Sequence, residues 1–580
     1  MLLLFITLDF TTSLKHLELY GFYIQYHLEE AQEFDTSTLF DANLFFDKFS
    51  FHYKSFSKFK NDKVFSENTD YIIGLDGVLL NLSLLKKTQG ISDIFGLIIH
   101  LFSKQGVQFV ANLKGEFSGF IFEKKTKKLH VFNNKKATKQ VFYTQHNKGF
   151  AVAPTVKALV NLRQSYNETN QLNTQAVYTM LSFGGMIEEQ TLVDAIFKLG
   201  AAEILSFQDD TLKVDKYYDY NTIPYLYEQK DKAIDAFNSV FVDAVKAEYE
   251  KDKEYEYSHI ATLSGGLDSR MTVMLADKLG YANHSFCFSQ TGYADELIAQ
   301  EIAQSLGIDF RFIPLDGGDY LKNLSKMVAI NSGLQFYHGS AHFDFALQQL
   351  DLSKYGLIHT GQIGDGILGG FVSNETTHFL SKTISKRFLH KTAIDQTSFK
   401  AYRDEEIFKL YQRVFNLTNF GSYMVEQHKT YITSPFYDET VMEVALSIHP
   451  KLKLNQGIYI DWINKWHPEV TNYKWERTGF RPNRKWKTPL SRYTNKLKQE
   501  YYKITKQADR LSMNPLSFWL KNNLSIEQFY MDYYRDNRQY IADNSELHTD
   551  FSLLMQEGSF TEKALVLTLL EVIKTNKLKI

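Results

Sequence analysis

The chain has 580 residues, 44% of them hydrophobic and 23% charged, with a formal net charge of −2. That length predicts two to four domains, and the composition is that of a folded soluble protein with no electrostatic reason to bind nucleic acid. A single cysteine, Cys287, excludes an intrachain disulfide and a cysteine-based structural zinc site.

Residues 1–8 are apolar but short, lack a basic lead-in and run straight into Asp9. A strand is expected there rather than a signal peptide. With no run of about eighteen apolar residues to cross a bilayer, the expected location is cytoplasmic, without a membrane partner.

Residues 1–215 read mostly as strands. Short β-branched or aromatic runs at 71–74, 107–110, 119–122, 129–132 and 149–152 stand near turn residues. The basic stretch 124–128 fits a hairpin loop between two of them, and helices are expected at 93–101 and 174–181. This is the pattern of an α+β layered domain.

The pattern then changes. A long amphipathic helix at 231–250 carries Ile234, Phe237, Val240, Phe241, Ala244 and Val245 on one face. Strands at 259–263, 284–288 and 309–314 alternate with helices at 270–279 and 296–306, which predicts a doubly wound parallel sheet. Residues 491–580 are charged, aromatic and helical in pattern. They are expected to form a C-terminal extension whose role no motif reveals.

The strongest chemical signal is Ser264-Gly265-Gly266-Leu267-Asp268-Ser269, between the strand ending at Leu263 and the following helix. Backbone N–H groups at such a turn, with the helix N-terminus, form a seat for phosphate oxygens. Both glycines let the backbone approach closely, and Ser264 and Ser269 can donate hydroxyl hydrogen bonds. Asp268 is anionic like a phosphate, so it makes sense only with Mg²⁺ between the two. No Gly-Lys-Ser/Thr follows, so this is not a Walker loop. It is similar to the SGGxDS loop of enzymes that cleave ATP to AMP and pyrophosphate.

Further motifs follow in order: Asp295-Glu296 with Ala299, Ala303, Leu306 and Gly307; Thr360-Gly361-Gln362-Ile363-Gly364-Asp365-Gly366 through Phe371; Pro435-Phe436-Tyr437-Asp438 with Ala445-Leu446-Ser447-Ile448; and Arg477-Thr478-Gly479-Phe480. Together they resemble the asparagine synthetase family. Asp76-Gly77-Val78-Leu79-Leu80-Asn81 and Gly115-Glu116-Phe117 resemble that family's glutamine amidotransferase domain.

The resemblance implies an α/β protein. An Ntn-hydrolase-like α+β layered domain at 1–215 would be followed by a PP-loop ATP pyrophosphatase domain at 230–490. It also implies that ATP is bound by Leu263, Ser264, Gly265, Gly266, Asp268, Ser269, Phe288, Thr360 and Gly361. Asp268 and Asp365 would hold Mg²⁺, and Arg477 would stand near the transition-state charge.

Several positions depart from the family. Leu2 occupies the place of the catalytic cysteine, and Val78 that of a glutamine-gripping glutamate. Gln362 and Gly366 replace two glutamates, and Arg477 replaces a lysine. Gln362 cannot act as a base, and Leu2 has no nucleophilic atom. Cys287, inside a predicted strand, is expected to be a buried structural thiol.

The expected activity is an ATP-dependent amide-forming ligase without glutaminase activity. It would activate a small-molecule or glycan carboxylate as an acyl-adenylate for attack by ammonia or another amine. An intramolecular cyclase of the β-lactam synthetase or lasso-peptide type, and a non-catalytic scaffold, stay open, as does a homodimer.

Overall fold

The computed structural model describes residues 20–28, 40–373, 383–392, 394, 400–484, 488–505 and 509–580. The strand expected at 1–8, and Leu2 with it, lie outside the described residues.

Two six-stranded antiparallel sheets make up the first part of the chain. One runs in the order Phe197–Lys198, Phe142–His146, Gly149–Ala153, Gly21–His27, Phe49–Lys54, Ala42–Phe46. The other runs Thr211–Lys216, Glu203–Gln208, Lys128–Asn133, Gly115–Glu123, Tyr71–Leu79, Val64–Glu67. The period of two along a strand sorts their side chains. Phe120 and Phe122 point between the sheets, against Phe49 and Phe51, while Phe117 and Ile121 point outward under the helices. The rings of Phe51 and Phe120 stack 5.3 Å apart. Helices Leu82–Gln89 and Ile94–Gln105 cover the second sheet, and Val156–Ser165 covers the first. The result is a helix–sheet–sheet–helix layering, as the α+β reading requires.

One expected strand is not a strand. Residues 107–110 lie in the 3₁₀ segment Gly106–Asn112, which closes the preceding helix and buries Phe109 and Val110. A short apolar run is ambiguous by periodicity alone. That region also departs from a second expectation: Ile94–Asn112 is long and apolar enough to cross a membrane by length and composition. Here its apolar side, with Leu97, Ile98 and Leu101, lies in the core beneath the second sheet.

The third sheet is parallel and five-stranded, in the order Asp309–Pro314, Asn283–Ser289, Ser258–Thr262, Tyr355–His359, Ile432–Thr433. Helices Lys230–Glu254, Leu267–Lys278 and Ala294–Leu306 supply one buried cluster, and Leu324–Asn331 and Ala341–Gln348 belong to another. The chain starts in the middle of this sheet, builds one side, then crosses to the other. A crevice therefore opens between the carboxyl ends of Ser258–Thr262 and Tyr355–His359, the usual ligand position in a doubly wound sheet.

The C-terminal helices are not set apart. Phe560–Asn576 buries Ala564, Leu565, Val566, Leu567, Leu569 and Leu570 in one core with Met180 and Leu181 of Thr174–Phe183 and with Met327 of the parallel-sheet part. Leu172 N–H donates to the Lys579 carbonyl at 2.8 Å.

Candidate active site

Strand Ser258–Thr262 ends just before the glycine loop, and the next helix begins at Leu267, earlier than the sequence suggests. Asp268 and Ser269 therefore sit in its first turn, where helical N–H groups have no partner in the preceding chain. The loop closes on itself. Ser264 N–H donates to Ser269 Oγ at 3.0 Å, the two hydroxyls lie 2.9 Å apart, and Gly266 N–H donates to Ser264 Oγ at 3.2 Å. Gly265 is braced from outside. Its N–H donates to Asp295 Oδ1 at 2.8 Å, and its carbonyl accepts Arg270 Nη2 at 2.9 Å. Arg270 is fully buried and also donates to the Val470 and Lys474 carbonyls. Burial lowers its pKa to about 10.

Strand Tyr355–His359 delivers the second loop. Thr360 Oγ1 donates to the Thr433 carbonyl, and the Thr360 carbonyl accepts Thr272 Oγ1 of the first helix at 3.0 Å. Gly361 passes so close that a Cβ there would lie 2.2 Å from the Asp268 carbonyl carbon and from Ser269 N. Ile363 takes φ 64°, a strained value for a β-branched residue.

The two loops bring the predicted carboxylates together. Asp365 N–H donates to Asp268 Oδ2 at 2.9 Å, and Tyr459 Oη donates to Asp268 Oδ1 at 2.6 Å. Asp268 keeps some exposure into the crevice, yet protein surrounds it on the other sides. Burial, and then the nearby Asp365 carboxylate, push its pKa up to about 8. Two carboxylates held together at the crevice form an oxygen donor set that suits a hard divalent cation. Gln456 joins the group: its Nε2 reaches Asp365 Oδ2 at 3.5 Å, and its Oε1 accepts Arg477 Nη1 at 2.8 Å.

These elements enclose one cavity of about 670 Å³. Leu263, Ser264, Gly266, Asp268, Ser269, Phe288, Thr360, Gly361, Asp365 and Arg477 all line it; Gly265 stands behind the wall. Phe288 faces the Phe343 ring at 5.4 Å and the His342 ring at 5.6 Å, a flat aromatic corner. Cys287 is 3% exposed, and burial drives its thiol pKa well above the ordinary value.

Sequence motifs pass over three members. Tyr459 and Gln456 come from Leu454–Gln456 and Gly457–Trp466, a segment with no pattern of its own. Glu476 precedes Arg477 and lines the cavity, with Oε2 buried and without a hydrogen-bond partner. Burial, and then Asp295, raise its pKa to about 7. Gly366 has a structural reason: a Cβ there would lie 2.5 Å from the Phe371 ring, which fills the space that a side chain at this position would need.

In the first domain, Asp76 is fully buried. It accepts Lys139 Nζ at 2.6 Å and Ser55 Oγ at 2.5 Å. Lys139 also pairs with Glu426 at 2.8 Å, and Lys136 pairs with Glu116 and Glu439, so both lysines bridge the two halves of the chain.

A glycine loop at a helix start, facing paired carboxylates across the crevice of a doubly wound sheet, defines a nucleotide-binding α/β domain of the phosphate-loop kind. Family models agree in detail. Residues 64–218 match the glutamine amidotransferase domain and residues 236–431 match asparagine synthase. The chain thus carries an asparagine synthase domain preceded by a glutamine amidotransferase domain.

A Methanocaldococcus jannaschii protein named as a second glutamine-hydrolysing asparagine synthetase is 26% identical over 238 residues, which are 40% of this chain and 45% of the relative. Asparagine synthetase 1 of Bacillus subtilis is 24% identical over 221 residues, 38% of this chain and 34% of the relative. The match thus spans less than half the length of each. The solved structure of the allosteric regulatory enzyme of purine biosynthesis superposes with a TM-score of 0.24 and 11% identity over 52% of this chain and 76% of that one. That likeness is too slight to bear on the fold.

Proposed function

We propose that this chain is an ATP-dependent carbon–nitrogen ligase that forms an amide by way of an acyl-adenylate. The observation that carries the reading is the Asp268–Asp365 pair beside the Ser264–Ser269 loop in one cavity.

The phosphates of ATP would lie at the helix start, on the first-turn N–H groups of Leu267, Asp268 and Ser269, with the adenine in the corner of Phe288 and Phe343. Mg²⁺ held by Asp268 and Asp365 would supply positive charge against the pyrophosphate oxygens. A substrate carboxylate oxygen attacks the α-phosphorus, and the bond to the bridging oxygen breaks, releasing pyrophosphate. Arg477, steadied by Gln456, which also reaches Asp365, would meet charge on the phosphates and on the acyl oxygen. An amine nitrogen then attacks the acyl carbon, AMP leaves, and the nitrogen loses a proton. Gln362 cannot take that proton. Glu476, whose Oε2 is buried in the cavity wall without a hydrogen-bond partner and whose pKa is raised to about 7, would take it.

The nitrogen does not come from glutamine in this reading. The sole cysteine sits in the parallel sheet, and Asp76 is committed to a buried ion pair with Lys139.

Nucleotide analysis tests the proposal. Protein, Mg²⁺ and ATP are incubated with pools of acids and amines, with and without ammonia or glutamine. AMP and pyrophosphate that depend on an acid, and vanish in Asp268→Asn, are expected. ADP and phosphate would refute adenylation, glutamine-driven turnover would refute the missing glutaminase, and failure to bind ATP would favour a scaffold.

A further inference from the structure

The whole-chain charge of −2 hides a strong local imbalance. Residues 477–506 hold ten lysines and arginines against one acidic residue, Glu500. Arg481, Arg484, Lys496 and Lys498 are exposed. This stretch includes the helix Thr488–Thr505. Residues 496–501 are exposed without exception, and six consecutive residues pass through more than one full turn. The helix therefore faces solvent on every side there.

Its exposed surface is not uniformly polar. Leu497, Tyr501 and Ile504 are 54%, 57% and 80% exposed. Their spacing of four and three places them on one face. Leaving leucine and isoleucine in water is unfavourable, and here they form a stripe flanked by lysines.

We propose that this helix docks on an anionic lipid surface, with Leu497, Tyr501 and Ile504 entering the acyl boundary and the flanking lysines reaching the lipid phosphates. Both halves of the chemistry are used. Basic charge alone would suit any polyanion, but a nucleic-acid backbone offers nothing to an exposed Leu–Tyr–Ile stripe. An amphipathic helix with a basic polar face is the form that lies in a bilayer interface. Arg477, at the start of the basic stretch, lines the cavity. The expectation of no membrane partner rested on the lack of a long apolar run, a test for a spanning helix that cannot register one lying on a surface.

Full-length protein is mixed with phosphatidylcholine vesicles containing about a quarter phosphatidylglycerol, and with pure phosphatidylcholine vesicles, then sedimented. Binding to the anionic vesicles alone is expected, falling about tenfold or more when salt is raised from roughly 0.05 M to 0.5 M. The double variant Leu497→Asp, Ile504→Asp should lose about tenfold or more in vesicle affinity. Its melting temperature should be unchanged, because neither side chain is in the core. The proposal falls if the anionic vesicles do not bind at low salt, or if the double variant binds like the parent. Capture of duplex nucleic acid in place of vesicles would also overturn it.

Discussion

Asp268 combines a surrounding of protein with a second carboxylate close by, and this sets a sign for its effect on stability. Its pKa in the fold, about 8, is above the ordinary aspartate value. Between roughly pH 4 and pH 8 the folded state thus holds a proton that the unfolded state has lost. This group consequently subtracts stability as pH rises through that window, and a bound cation reverses the effect. Asp268→Asn should stabilise the metal-free protein at pH 8 by something of the order of 1 kcal/mol, and so raise its melting temperature, while abolishing AMP formation. Differential scanning calorimetry at pH 5 and pH 8, with and without Mg²⁺, checks this. A variant less stable than the parent at pH 8 would contradict it. Asp268 and Asp365 are both legible in sequence because they sit in ordered motifs. Tyr459 and Gln456 are not, because their roles depend on where Gly457–Trp466 packs, and periodicity carries no such information. Gly366 shows a middle case: the sequence reveals a missing glutamate, but only the packing reveals the Phe371 ring in its place.

At the scale of elements, the site is a contact between a helix start and a loop. Gly361 is the point of closest approach. A methyl group there meets backbone atoms at 2.2 Å rather than a side chain that could turn aside. Gly361→Ala should therefore push the Thr360–Asp365 loop off the helix, weaken Mg·ATP binding by about tenfold or more, and cost about 1–3 kcal/mol of stability. Isothermal titration with a non-hydrolysable ATP analogue measures the first effect; unchanged affinity would mean the loop does not need this contact. The parallel strands at 258–262, 283–289 and 309–314 are visible in the sequence from strand–helix alternation at the spacing of a doubly wound sheet, not from apolar runs, since the edge strand Asp309–Pro314 mixes Asp309 and Arg311 with Phe310 and Phe312. Many antiparallel strands are harder to see. Gly21–His27 and Phe49–Lys54 mix aromatic and polar residues because the sheet pairs them with distant segments, and sequence spacing does not record that pairing. The run at 107–110 misleads for a related reason, its apolar residues being buried by a 3₁₀ turn instead of a strand.

Over the whole molecule, buried charge joins what sequence patterns separate. Lys139 lies between Asp76 of the first domain and Glu426 of the second. Although burial opposes its charge, Lys139 holds Asp76 below the usual carboxylate range, whereas Glu426 is still pushed up to about 7 by its own burial. Lys139→Ala would leave two carboxylates buried without their cation. A loss of roughly 3–5 kcal/mol is expected, larger at pH 8 than at pH 6 because Glu426 can take up a proton at the lower pH. Chemical denaturation at both pH values tests this, and a pH-independent loss would argue against the pair as the cause.

The core shared by Phe560–Asn576 and Thr174–Phe183 also bears on biosynthesis. During translation the earlier helix leaves the ribosome long before the later one exists, and until then its apolar face has no cover. The amino-terminal half cannot finish folding as it emerges. It must wait, partly open, for the last helix, which makes nascent chains of this protein natural clients for chaperones.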